Sequence, residues 1–202
     1  MPEKMLEAAN HRCRAIYNLA SGVPVVFLHG FSFTSDDWQR TDVTELLKEK
    51  RVPFLALDMP YGLKSECQPR TRDVEVNVAV VRGAVQNIFG AVAPVLVGAS
   101  LGGHVALKYA AARFPVRGLL LLAPVRVLEE PLVEAYRHFQ FPVRIVCGSE
   151  DRIVSLEELR DLANRLLNAK LTVYEGARHA AYFDNPERFK RDLLELYATA
   201  EQ

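Results

Sequence analysis

The stretch Pro94-Val-Leu-Val-Gly-Ala-Ser-Leu-Gly-Gly-His-Val-Ala-Leu-Lys108 decides how this chain is read. Val95 to Val97 read as a short buried strand, and Val105 to Ala112 as the helix behind it. Between them lies Gly98-Ala99-Ser100-Leu101-Gly102, a match to G-x-S-x-G. A chain that leaves a strand and enters a helix at once must fold back sharply, which puts Ser100 at the tip of the turn in a strained backbone conformation. Gly98 and Gly102 lack the β-carbons that would clash where the two arms approach. The serine hydroxyl is then presented at the positive end of a helix, where a developing oxyanion is favoured. This setting points to a nucleophile. The plain alternative is a glycine-rich loop, between a parallel strand and its crossover helix, that holds a serine by chance.

Outward from this centre the chain alternates strand and helix, the pattern of a mostly parallel sheet covered on both faces. Strands are expected at Val23–Leu28, Val52–Leu57, Arg117–Ala123, Val143–Cys147 and Leu171–Tyr174, and one edge strand within Cys13–Leu19. Helices are expected at Ser35–Lys50, Val74–Phe89 with Gly90 as its stop, from Ser155 onward, and after Asn185-Pro186. Ser155-Leu-Glu-Glu158 is a capping box, and Leu156, Leu159, Leu162 and Leu166 recur behind it at helical spacing. The connector 124–141 has room for one short helix, over Glu130–Phe139.

The chain has 202 residues, half of them hydrophobic and a quarter charged, with zero formal net charge. One domain spanning residues 1–202 is expected. Balanced charge makes nucleic acid and anionic membrane poor partners. The apolar runs are strand-sized, and Met1 to Gly22 is charged throughout, so neither a membrane span nor a secretory signal is expected. Cys13, Cys67 and Cys147 form no C-x-x-C pair, and reduced thiols in a cytoplasmic protein are the simplest reading. A Cys13–Cys67 bridge is left open.

A serine hydroxyl needs a base to take its proton and a third group to orient that base. Both belong beyond strand ends on the edge that carries Ser100. Asp151 and His179 each lie in a loop just after an expected strand, in the order Ser100, Asp151, His179. Glu150 is the alternative acid and Asp58 a more distant one. His29 is the one serious rival to His179; His11, His104 and His138 read as solvated or locally packed. The His29-Gly30 pair has a different expected use, letting the Phe31 N–H point at the reacting carbonyl oxygen, with the Leu101 N–H as second donor. The His29 ring itself reads as a buried support for that loop.

These pieces resemble an α/β-hydrolase. The resemblance rests on His29-Gly30-Phe31, Asp58-Met-Pro60, Gly98-Ala-Ser100-Leu-Gly102-Gly103, Gly148-Ser-Glu-Asp151 and Gly176-Ala-Arg-His179, and covers residues 23–190. It implies that fold, in the form of its small, lid-poor esterases. It also implies two strands before Val23, where the sequence leaves room for about one, so a sheet truncated at that edge is expected. After Asp58 the chain departs from the family pattern, with Tyr61 where a glycine is usual. Without a lid, short-chain acyl esters of small molecules are the expected substrates, cleaved through an acyl-enzyme on Ser100 with no metal or organic cofactor. Phe33, Val125, Tyr136 and Ile153 are candidates for the apolar wall, beside Phe31 and Leu101. A thioesterase, acyltransferase, C–C hydrolase or cofactor-free haloperoxidase would use the same residues, and a non-catalytic binding protein would keep only the fold. A monomer or a homodimer fits equally.

Overall fold

A computed structural model describes all residues, 1–202. Nine strands form one sheet: β1 (Glu3–Ala8), β2 (His11–Asn18), β3 (Val25–Leu28), β4 (Phe54–Leu57), β5 (Cys67–Gln68), β6 (Val95–Ala99), β7 (Gly118–Leu122), β8 (Val143–Gly148) and β9 (Ala169–Tyr174). Their order is β1-β2-β4-β3-β6-β7-β8-β9, with β5 alongside β2. The pairs from β4 to β9 are parallel, and β2 runs antiparallel to its neighbours.

The helices are α1 (Asp36–Gln39), α2 (Val43–Glu49), α3 (Val74–Phe89), α4 (Leu101–Ala111), α5 (Leu132–Ala135), α6 (Leu156–Arg165), α7 (Ala181–Asp184) and α8 (Pro186–Ala200), with a 3-10 turn at Tyr136–His138. Residues of α3, α4 and α6 pack against one face of the sheet, and residues of α1, α2, α7 and α8 against the other. Each central strand feeds both layers in alternation: Leu119 and Leu121 of β7 face one, Leu120 and Leu122 the other. Burial on both faces is why these strands are unbroken apolar runs. No helix is long and apolar enough to cross a membrane.

Helix ends follow local chemistry. The Asp73 carboxylate accepts the N–H groups of Glu75 and Val76 at the start of α3, and Gly90 closes that helix at φ 76°. Ser155 Oγ accepts the Glu158 N–H to open α6, and Asn185 accepts the Arg188 N–H to open α8, with Pro186 in its first turn. The expected helix 35–50 is instead two. The Thr41 hydroxyl donates to the Trp38 carbonyl at 2.8 Å, and Asp42 turns left-handed at φ 58°. This break lets Trp38 and Leu47 both reach the core.

The expected truncation of the sheet is not found. Two strands precede Val23, because Ala9 and Asn10 make a two-residue turn with φ 48° and 63°. Such positive-φ turns match the twist of a hairpin and let two strands fit in few residues. Gly83 of α3 makes room for them: a β-carbon there would sit 3.2 Å from Ala8 Cβ. The hairpin is tied down by a second feature. Cys13 lies opposite Cys67 in the β2–β5 ladder, and the two form a disulfide, leaving the buried Cys147 as the one free thiol. The reading of three reduced thiols is thereby corrected at two positions.

Reducing this bridge frees a loop closed over a sequence separation of 54. Loop-closure entropy then gives a loss of about 4 kcal/mol in stability. Denaturant titrations with and without reductant measure it; coincident curves would contradict the bridge.

Candidate active site

The chain runs from β3 to β4 on one side and later returns to place β6 on β3's other side. The direction of winding therefore reverses between β3 and β6, and a crevice opens at their carboxyl ends. The loop after β3 and the turn after β6 form its two lips.

Ser100 caps β6 at φ 51° and ψ −111°. A non-glycine residue at positive φ carries strain that the surroundings must hold in place. Here the Ser100 N–H is held by the Leu122 carbonyl at 2.8 Å, and its carbonyl accepts the N–H groups of Gly103 and His104. Glycine is required on either side. A β-carbon on Gly98 would lie 2.5 Å from the Gly102 carbonyl oxygen, and one on Gly102 would strike the backbone of Leu28 and His29. The turn after β6 thus presses directly on the end of β3, and Ser100 remains partly exposed at the crest.

Asp151 and His179 meet at this edge. His179 Nδ1 lies 2.8 Å from Asp151 Oδ2. The other oxygen, Oδ1, accepts the N–H groups of Ile153 at 2.8 Å and Val154 at 3.1 Å. A buried carboxylate so engaged accepts at Oδ2 as well, so Nδ1 carries the ring proton and Nε2 is left free to accept one. Gly148 lets the two loops touch, since a β-carbon there would hit the carbonyls of Ala177 and Arg178. Glu150 is exposed and makes no bond to His179. Asp58 is buried, but its two oxygens are taken by the N–H groups of Ser35 at 2.8 Å and Glu66 at 2.6 Å.

The loop after β3 is gripped from below by residues 58–66. Met59 donates its N–H to His29 Nε2 at 2.9 Å, so Nδ1 bears the proton and donates to the Gly30 carbonyl at 2.7 Å. That carbonyl also accepts the Phe33 N–H at 3.1 Å. Carbonyl and N–H of one peptide point in opposite directions, so fixing Gly30 C=O aims the Phe31 N–H the other way. Leu63 N–H holds the Phe31 carbonyl at 2.8 Å. Tyr61 adds a hydroxyl bond to the His29 carbonyl at 2.5 Å. Gly30 itself approaches the serine, a β-carbon there falling 3.6 Å from Ser100 Cβ. The Leu101 N–H, first in α4, has no acceptor within its own helix.

The apolar candidates separate. Phe33 is half-buried on a cleft beside His179. Val125 is half-buried, its N–H 3.4 Å from the Ser100 carbonyl. Ile153 is 68% exposed at the rim next to Asp151. Tyr136 is corrected: it is fully buried, and its hydroxyl is spent on the Val127 carbonyl at 2.5 Å, so it belongs to the core. The connector that holds it carries only α5 and one 3-10 turn, too little for a lid. Tyr61 and Phe183 were not singled out from sequence as parts of the site. Tyr61 stood out only as a departure from the family pattern, and Phe183 belongs to a helix of four residues.

His104, one turn into α4, is fully buried and neither ring nitrogen is hydrogen-bonded; the nearest carboxylate, Glu129, is 3.9 Å away. Burial pushes its pKa down from 6.5 to about 4, and the nearby Arg126 adds to the effect. His29 is likewise pushed down by burial.

Comparison with known proteins places the chain in a family. A family model described as "Alpha/beta hydrolase family" matches residues 25–140, and the chain belongs to that family. It is 31% identical over 174 residues to "Protein ABHD14A" of Danio rerio, covering 85% of this chain and 63% of that protein's length. It is 28% identical over 177 residues to "Putative protein-lysine deacylase ABHD14B" of Homo sapiens, covering 85% of this chain and 81% of that protein. Among solved structures, a "predicted CIB-like hydrolase" from Thermoplasma acidophilum superposes with a TM-score of 0.85 at 22% identity, over 96% of both chains.

Two outcomes follow for stability. Gly102→Ala forces a β-carbon into backbone and should cost about 3 kcal/mol, read by denaturant titration. For His104 the folded pKa lies below the unfolded one. Its neutral form is stable above pH 6.5, and stability falls as pH drops from 6.5 towards 4, by about 3 kcal/mol in all. His104→Gln should flatten that slope; an unchanged slope would contradict the assignment.

Proposed function

We propose that this protein is a serine acyl hydrolase of the carboxylesterase type, with short-chain acyl esters of small molecules as substrates. The observation that carries the reading is the His179–Asp151 pair at 2.8 Å on the same sheet edge as the strained Ser100. In this reading Ser100 Oγ adds to the acyl carbonyl while His179 Nε2 takes its proton. The Phe31 and Leu101 N–H groups receive the oxyanion, where fixed donors are worth most. Asp151 keeps the proton on Nδ1 and stabilises the imidazolium. His179 then returns the proton to the leaving oxygen, and the C–O bond breaks to leave the acyl-enzyme. A water, deprotonated by the same nitrogen, releases the acid.

The short connector between β7 and β8 supports an open site that buries little of a long acyl chain, hence the short-chain preference. A second reading, cleavage of an acyl-lysine amide, is favoured by the name of the human relative. It keeps every residue in its role and changes the leaving group from an alcohol to an amine. The expected cytoplasmic location rested on reduced thiols, which the fold corrects at Cys13 and Cys67. The Cys13–Cys67 bridge pulls the other way, since disulfides persist mainly in oxidising compartments.

The test is hydrolysis of p-nitrophenyl acetate through p-nitrophenyl decanoate by the native protein and by Ser100→Ala. Activity should peak at short chains and vanish in the variant; a maximum at decanoate would refute the open site. Tyr61→Phe removes one bond from under the Phe31 donor. It should lower kcat about tenfold, less than loss of a donor itself, with KM little changed.

A further inference from the structure

A cleft of about 450 Å³ opens beside His179. Its position matters, because the imidazole that accepts the serine proton must hand it to the leaving group. Whatever departs has to lie against His179, and His179 itself lines this cleft. Phe33 links the cleft to the serine: a β-carbon on Gly30 would stand 3.2 Å from the Phe33 ring and 3.6 Å from Ser100 Cβ.

Two phenylalanines line the cleft, with the buried Tyr182 behind them. Phe33 and Phe183 stack with centroids 5.6 Å apart and planes at 27°. Tyr182 meets Phe33 edge-on at 6.3 Å, and the Arg40 guanidinium lies 5.3 Å from the Phe183 centroid. The cleft's charge is matched. Arg40 is paired with Asp37 at 2.8 Å, and Arg178 with Asp184 at 2.7 Å. Each guanidinium has a carboxylate partner, so the cleft holds no unpaired charge that a substrate must neutralise.

We infer that this cleft is the leaving-group subsite and that it selects a planar aromatic alcohol with no need of a charge, so that arylmethyl esters of short acids are preferred substrates. The inference rests on the serine acyl hydrolase reading and gives it a substrate class. An arylmethyl group is flat enough to slide along the Phe33–Phe183 pair, and offset stacking adds to simple burial. The guanidinium plane of Arg40 offers a further flat surface at the rim. In the reaction the ester C–O bond breaks as His179 protonates the arylmethoxide oxygen. The arylmethanol leaves through the cleft, and water releases the short acid from Ser100.

The experiment compares kcat/KM for benzyl acetate, cyclohexylmethyl acetate and 4-carboxybenzyl acetate. The first two are similar in size and differ in planarity; the third adds a charge. Benzyl acetate should lead cyclohexylmethyl acetate by about fivefold, the scale of one aromatic stacking contact, and should be at least as fast as the carboxylated ester. Phe183→Leu and Phe33→Leu, each checked for a native circular dichroism spectrum and melting transition, should bring the benzyl-to-cyclohexylmethyl ratio towards one. Equal rates for the flat and puckered esters on the native protein would overturn the proposal whether or not either variant folds. A preference for the carboxylated ester would overturn it too. Ser100→Ala separates the two levels. If turnover needs Ser100 but shows no preference, only the subsite assignment falls; if Ser100→Ala keeps the turnover, the catalytic reading falls and the subsite with it.

Discussion

The candidate site depends on how closely the turn after β6 can approach the end of β3. At Gly102 that approach is backbone on backbone, with no space for a single added carbon, and Gly98 packs as closely on Gly102 and Gly103 within the turn. Because the two segments touch, Ser100 sits beside Gly30, and the loop that follows β3 faces the serine. A side chain at Gly102 would separate the lips of the crevice, one at Gly98 would open the turn itself, and in either case the positive φ of Ser100 would lose the contacts that hold it. Strain at one residue is tolerable because the β6–β7 ladder and the first turn of α4 fix it from both sides.

From that contact the rest of the site is assembled by carbonyls and N–H groups more than by side chains. His29 and Tyr61 act on the loop through backbone carbonyls, and Asp58 through backbone N–H groups. Buried polar groups that are fully partnered make a rigid support. Further along the same sheet edge, Gly148 allows the loop carrying His179 to cross the end of β8, and Asp151 receives it with an oxygen not used by its own turn. The aromatic cleft then follows from where α7 and the loop after β3 meet.

Much of this was legible in the sequence because the central strands are buried on both faces and so read as unbroken apolar runs. The elbow, Asp151 and His179 were placed by a simple rule, that functional loops follow parallel strands. The N-terminal hairpin was missed for a physical reason. In β1 only Leu6 and Ala8 are buried, so its pattern is too polar to stand out, and its turn uses Ala9-Asn10 without the usual glycine. Tyr136 was misplaced because an aromatic residue in a connector fills a core or a pocket with equal ease, and only the Val127 carbonyl decides. Tyr61 and Phe183 act across contacts that no local pattern encodes.

The most direct test of the account is reaction of the native protein with a fluorophosphonate, followed by peptide mass spectrometry. The account predicts a single adduct, on Ser100, whose formation is lost in His179→Ala. An unmodified protein, or an adduct on another serine, would contradict it.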